Sequence, residues 1–232
     1  MGPLINWLAS QGSDIYQVSL SGHHEKGASL KDVTAAVWEA EMLAGYSQAK
    51  KAAVDNGLPL YFLGYSLGAL LGQSMIALKQ NGACFDKQVL LAPATAIRTR
   101  SYLLTCLFFF GKHRMLPSFT PKAYRANDAL PLAIYQLLFR EVKKVVQSGF
   151  DNWNVPTLIL IDPKDELISY SKLVRYVKRY KLTNYQILTL NNELNGRKDR
   201  YHHLILDKET MGAANWALAT KAMRQFLFNV AE

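Results

Sequence analysis

The chain has 232 residues, half of them hydrophobic and 19% charged, with neither Gly nor Pro in excess. This composition excludes the disordered and fibrous classes and suffices for one α/β domain with a buried core. Lys and Arg outnumber Asp and Glu by 27 to 18, for a formal charge of +9; no nucleic-acid-binding motif accompanies the cations, so they read as a basic surface, and an anionic membrane face is the partner such a charge favours.

In chain order, residues 3–12 read as a short amphipathic helix stopped by Gly12. Asp14–Leu20 alternates and is β-rich, which predicts a strand ending at the turn Ser21-Gly22-His23-His24. Ser29–Asn56 has apolar residues near helical spacing and predicts a long helix closed by Gly57. Pro59–Gly64 is a short apolar run, as expected of a strand buried on both faces, and Leu67–Lys79 is again helical, closed by Asn81-Gly82. Gln88–Ala92, Thr157–Ile161 and Tyr185–Leu190 predict three more strands, and a last helix covers about Met211–Val230.

Apolar strands alternating with helices of ten or more residues define an α/β domain with a mostly parallel sheet. Thr95–Asn154 interrupts that rhythm with apolar, helix-like segments, three prolines and no clear strand, so it is expected to be a cap inserted over one end of the sheet, at about residues 96–150. The N-terminus does not have the pattern of a signal peptide, and the most apolar run, Tyr102–Phe110, is far shorter than the ~20 residues of a membrane-spanning helix; a soluble, cytoplasmic chain is the expectation. Cys84 and Cys106 lie in apolar contexts without zinc spacing and are expected to be buried free thiols.

Gly64-Tyr65-Ser66-Leu67-Gly68 matches G-x-S-x-G, and it falls between a predicted buried strand and a predicted helix, the setting of a nucleophile elbow. Such a turn holds Ser66 in strained backbone geometry, exposes its hydroxyl at the carboxyl end of the sheet, and aims the Leu67 N–H at a developing oxyanion. Glycine is expected at 64 and 68 because side chains there would collide with the adjoining strand and helix.

A serine hydroxyl needs a histidine base, and the histidine needs an acid that fixes its tautomer. The run Asp162-Pro163-Lys164-Asp165-Glu166 follows a predicted strand. Asp165 is the favoured acid, with Asp162 read as a turn cap and Glu166 as the start of the next helix. Tyr201-His202-His203-Leu204-Ile205 follows the last strand and a polar loop, Asn191–Arg200. His203 is the favoured base and His202 the alternative; His23 reads as structural. No metal-ligand spacing is present, and the chemistry needs no cofactor.

Taken together, Leu20-Ser21-Gly22-His23, Leu63–Gly68, Leu90-Leu91-Ala92-Pro93-Ala94, Pro156–Ile159 leading to Asp165, and His203-Leu204-Ile205 resemble the α/β-hydrolase superfamily, and more narrowly its lysophospholipase, monoacylglycerol-lipase and carboxylesterase-like branch. The resemblance implies a lid after the strand ending at Ala92 and a lipophilic carboxylic ester as substrate, cleaved through an acyl-enzyme. A thioesterase or peptidase using the same three residues, and an inactive remnant serving as a lipid-binding or interaction module, are the alternatives. Proteins of the resembled branch carry further strands and a His-Gly oxyanion loop ahead of the first strand read here, whereas Met1-Gly2 lead directly into a helix. Either the chain is shortened and a version extended upstream is more active and more stable, or the sheet closes by pairing the strands at 14–20 and 60–64 directly.

Overall fold

The computed structural model describes residues 2–23, 30, 33–78, 84–118, 120–148, 153–191 and 201–229. His24, Ser29, Lys79, Asn81-Gly82, the loop 192–200 and Val230, all named in the sequence reading, lie outside them. In chain order come α1 (Gly2–Ser10), α2 (Ala35–Asp55), β1 (Tyr61–Tyr65), α3 (Leu67–Leu78), β2 (Lys87–Leu91), a 3₁₀ run (Thr99–Phe110), β3 (Met115–Pro117), β4 (Ala129–Pro131), α4 (Leu132–Gln147), β5 (Thr157–Ile161), α5 (Tyr170–Arg179), β6 (Tyr185–Thr189), α6 (Lys208–Met211) and α7 (Ala213–Phe228).

The main sheet is parallel throughout, in the order β1-β2-β5-β6. Strand β5, the sequence Thr-Leu-Ile-Leu-Ile, is buried at every position, as a parallel strand covered on both faces must be. The register pairs Tyr65 with Leu91, Leu91 with Leu160 and Leu160 with Leu188. The strands therefore end together, and the segments that follow them emerge along one edge of the sheet, where ligands of open α/β sheets bind. The principal core joins the sheet to α1 through Leu4, to α4 through Phe139, Val142 and Val145, and to α7 through Ala219, Met223 and Leu227. Burying each of the larger of these side chains contributes about 2 kcal/mol.

Several expectations are corrected. Residues 13–20 form no ladder, and the direct pairing of 14–20 with β1 does not occur. Val18 and Leu20 instead pack by side chain on a second core cluster around Trp38, to which Phe62 and Leu67 also contribute. Among the described residues, β1 is thus an edge of the sheet. Helix α2 begins only at Ala35, because Thr34 caps it by accepting the Val37 N–H. The last helix is divided at Gly212 (φ 81), ahead of which Asp207 and Thr210 form a reciprocal capping box on the short α6. The stretch 95–154 does contain strands, the antiparallel pair β3–β4.

Cys84 is buried, but Cys106 is exposed. The reason is the 3₁₀ geometry of 99–110: with three residues per turn, side chains at i and i+3 line up. Tyr102 and Phe108 face inward onto Phe139, with ring centroids 4.6 and 6.4 Å away. Leu103, Cys106 and Phe109 form the outward line. Apolar context alone does not reveal that three-residue phase.

Candidate active site

The elbow is set by sterics at one glycine. A Cβ at Gly64 would lie 2.7 Å from Cα and 2.8 Å from N of Ala69, backbone atoms that cannot yield. Gly68 is different from the expectation: a Cβ there meets nothing within 4 Å. Between them Ser66 is held at φ 49, left-handed backbone that a non-glycine residue adopts only where its surroundings enforce it. The enforcement is visible. The Ser66 N–H donates to Leu91 O (2.9 Å), and its carbonyl accepts from Leu70 N (3.1 Å) and Ala94 N (3.1 Å). Strand β2 and the segment after it thus hold the turn.

Ser66 Oγ lies 2.9 Å from Nε2 of His203, whose Nδ1 lies 2.8 Å from Oδ2 of Asp165. Asp165 is fully buried, and its other oxygen accepts the N–H groups of Leu167 and Ile168, each at 2.7 Å. With Nδ1–H donated to this carboxylate, Nε2 is left as the acceptor for the Ser66 hydroxyl. The fold therefore brings together Ser66, His203 and Asp165, three residues from the loops after β1, β6 and β5. The Leu67 N–H opens α3 and, among the described residues, has no protein acceptor; it is one of the unpaired donors that a helix N-terminus presents to an anion.

His202, the alternative base, is turned elsewhere. Its Nδ1 lies 2.8 Å from Oδ2 of buried Asp162, whose Oδ1 accepts the Lys164 N–H at 2.8 Å. Asp162 caps its turn, as read from the sequence, and also holds a second imidazole. Tyr65 links the elbow to His203: its hydroxyl donates to His203 O (3.1 Å), and the two rings sit 5.3 Å apart. Burial, reinforced by the carboxylates of Asp165 and Glu166, pushes the Tyr65 hydroxyl far above its ordinary pKa, so it remains a donor.

Glu166 is the residue whose part the sequence reading missed. It does not start a helix: α5 begins at Tyr170, capped by Ser169. Its carboxylate accepts the N–H of His202 (2.8 Å) with one oxygen and that of His203 (3.0 Å) with the other. The loop carrying Asp165 is pinned from the far side by the start of the 3₁₀ run and the residue ahead of it. Arg98 Nε donates to Asp165 O (2.6 Å), and Arg100 Nη2 to Glu166 O (2.9 Å). A glutamate beside Asp165 is visible in sequence, but nothing local shows that it reaches the loop carrying His202 and His203. Of the remaining histidines named, His23 packs edge-on against Trp38 at 5.6 Å, away from this site. Among the described residues, no three His, Cys, Asp or Glu side chains are grouped as metal ligands.

No protein-family model matches this sequence, and no curated protein is similar to it at sequence level. Solved structures are similar in fold. A soluble variant of monoglyceride lipase from Saccharomyces cerevisiae superimposes with a TM-score of 0.71 at 8% identity, over 90% of this chain and 76% of that one. A structure from the work on the metagenome-derived lipolytic enzymes LipS and LipT gives a TM-score of 0.72 at 18% identity, over 98% and 86%. The monoacylglycerol lipase of Paleococcus ferrophilus gives 0.57 at 17% identity, over 81% and 77%. At these identities the likeness is one of fold, and it agrees with the parallel sheet and its flanking helices: the chain has the α/β-hydrolase fold.

Proposed function

We propose that this chain is a serine hydrolase of lipophilic carboxylic esters that works through an acyl-enzyme. The observation that carries the reading is the continuous hydrogen-bonded path Ser66–His203–Asp165 at the carboxyl end of the sheet. His203 Nε2 takes the Ser66 proton as Oγ attacks the ester carbonyl. Asp165 stabilises the imidazolium that forms, and the Leu67 N–H donates to the tetrahedral oxyanion. His203 then returns its proton to the leaving alcohol. In the second half of the cycle a water, deprotonated by the same nitrogen, releases the acid and restores Ser66. Tyr65 and Glu166 keep the base loop at the distance this transfer needs. The ester class is taken from the fold likeness to lipases and from the apolar cap segment 99–110, which offers Tyr102, Leu104 and Phe108 to the core.

The test is hydrolysis of p-nitrophenyl esters of increasing acyl length by the wild-type chain, Ser66→Ala and His203→Ala. The expected result is turnover by the wild type that rises with acyl length and is lost in both variants. Turnover retained by Ser66→Ala overturns the proposal.

A further inference from the structure

The cations of this chain are not evenly placed with respect to acids. Residues 98–118 contain Arg98, Arg100, Lys112 and Arg114 and not one Asp or Glu; further along, Arg125 is paired with Asp128 at 2.7 Å. Within that stretch every residue from 109 to 115 is exposed: Phe109-Phe110-Gly111-Lys112-His113-Arg114-Met115. Phe109 is 95% exposed, Phe110 66% and Met115 53%, and the outward line of the 3₁₀ run adds Leu103 at 71%. Large apolar side chains collected on one projecting segment are costly to leave in water and mark an interaction surface.

The knuckle is rigidly held. The 3₁₀ run ends at Gly111 (φ 96), whose N–H returns to Phe108 O, and the Arg114 N–H donates to Gly111 O. The first two N–H groups of α4, from Leu132 and Ala133, are spent on the carbonyls of Arg114 and Lys112 at 2.9 Å each. Arg114 lies over the Phe110 ring, 5.4 Å from its centroid. Aromatic rings and cations are therefore presented side by side.

We propose that this knuckle is a docking surface for an anionic phospholipid bilayer. Two properties select that occupant. Phe109, Phe110, Leu103 and Met115 supply the apolar area that settles at the boundary between headgroups and acyl chains. Arg100, Lys112 and Arg114, exposed and without an acidic residue in the segment, meet the phosphates, each cation near the surface strengthening binding roughly fivefold. The proposed contact is made by exposed side chains at the surface of the bilayer; no helix among the described residues is long and apolar enough to cross a membrane. The 3₁₀ run that ends in this knuckle is joined at its start, through Arg98 and Arg100, to the loop carrying Asp165. The docking itself does not depend on the hydrolase reading.

The experiment is co-sedimentation of the full chain with phosphatidylcholine vesicles and with vesicles containing 30% phosphatidylserine, with no turnover measured. Variants are Phe109→Ser/Phe110→Ser and Lys112→Glu/Arg114→Glu, each checked for an unchanged melting temperature; both positions of each pair are solvent-exposed. The wild type is expected to bind the anionic vesicles at least tenfold more tightly than the neutral ones, and to be released by raised salt. Each double variant is expected to lose at least tenfold in binding to the anionic vesicles. No partition to either vesicle, equal partition to both, or a knuckle-dependent dimer that binds no vesicle would overturn the proposal. Vesicle binding by a chain that hydrolyses no ester would leave docking standing and remove the proposed activity alone.

Discussion

Two stretches of seven residues, 162–168 and 109–115, show how differently one fold treats its loops. In the first, polar groups are closely partnered. Asp162 holds a turn N–H and an imidazole, Asp165 two N–H groups and the other imidazole, and Glu166 two backbone donors. In the second, the side chains are exposed and the backbone alone is braced. The lesson is about where order comes from. A loop that must hold a reacting group to a few tenths of an ångström is fixed by buried charge-assisted hydrogen bonds. A loop that must meet something outside is fixed through its main chain, which leaves its side chains free to make that contact.

The largest effects should follow from breaking the first loop's connection to Ser66. Ser66→Ala and His203→Ala are each expected to lower kcat by about 10⁶, and Asp165→Asn by about 10⁴ because the wrong tautomer of His203 then faces Ser66. His202→Ala, by contrast, should stay within about tenfold of the wild type, because its ring bonds Asp162 and not the serine. Steady-state rates on one ester series separate His202→Ala from the other three and Asp165→Asn from the two alanine variants. A loss in His202→Ala as deep as in His203→Ala would assign the base wrongly.

Glu166→Ala leaves the His202 and His203 N–H groups unpaired, at about 1–3 kcal/mol each. A fall in kcat of about ten- to a hundredfold with little change in KM is expected, with partial recovery in Glu166→Gln, which retains one acceptor oxygen. An unchanged kcat in the alanine variant would show that the carboxylate positions nothing.

Much of this site was legible in the sequence, and the reasons differ by residue. The elbow is a local object, a buried strand, a G-x-S-x-G turn and a helix, so its pattern is complete within a few positions. Asp165 and His203 were reached through chain order, since each falls in a loop after a predicted strand and parallel strands deliver such loops to one edge. Glu166 and the Asp162–His202 bond were not legible, because they join residues far apart in sequence that share no periodicity. Residues 14–20 have the alternation of a strand and yet make no ladder: alternation specifies two faces, whereas a ladder needs a neighbouring backbone. Cys106 was misplaced because a period of three cannot be told from 3.6 in a run that is apolar at nearly every position.

Gly64 and Gly68 sharpen the point, since the motif treats them alike and the structure does not. Gly64→Ala forces a Cβ onto the backbone of Ala69 and should cost about 3 kcal/mol, whereas Gly68→Ala should be nearly neutral in stability. Chemical denaturation of the pair distinguishes them, and equal losses would place the steric demand elsewhere.

The smallest effect lies in α4. Glu141 is buried, its Oε2 has no hydrogen-bond partner among the described residues, and Lys144, 3.9 Å away, is engaged by Glu39. Burial raises its pKa, only partly offset by Lys144. The folded state therefore holds this proton more tightly than the unfolded chain, and the associated stability is present at low pH and lost as pH rises through the raised value. Glu141→Gln is expected to be more stable than the wild type at neutral pH, with the gain vanishing as the pH falls into the acid range. A gain independent of pH would point to packing and not to charge.

The most direct test of the central claim is reaction of the chain with a fluorophosphonate probe, read as intact mass and modified peptide, with Ser66→Ala as the control. Such a probe labels a serine only where a base and an oxyanion donor activate it. The account predicts a single adduct on Ser66 that is absent from the control. A folded chain that takes up no probe, or takes it up equally after the substitution, would contradict it.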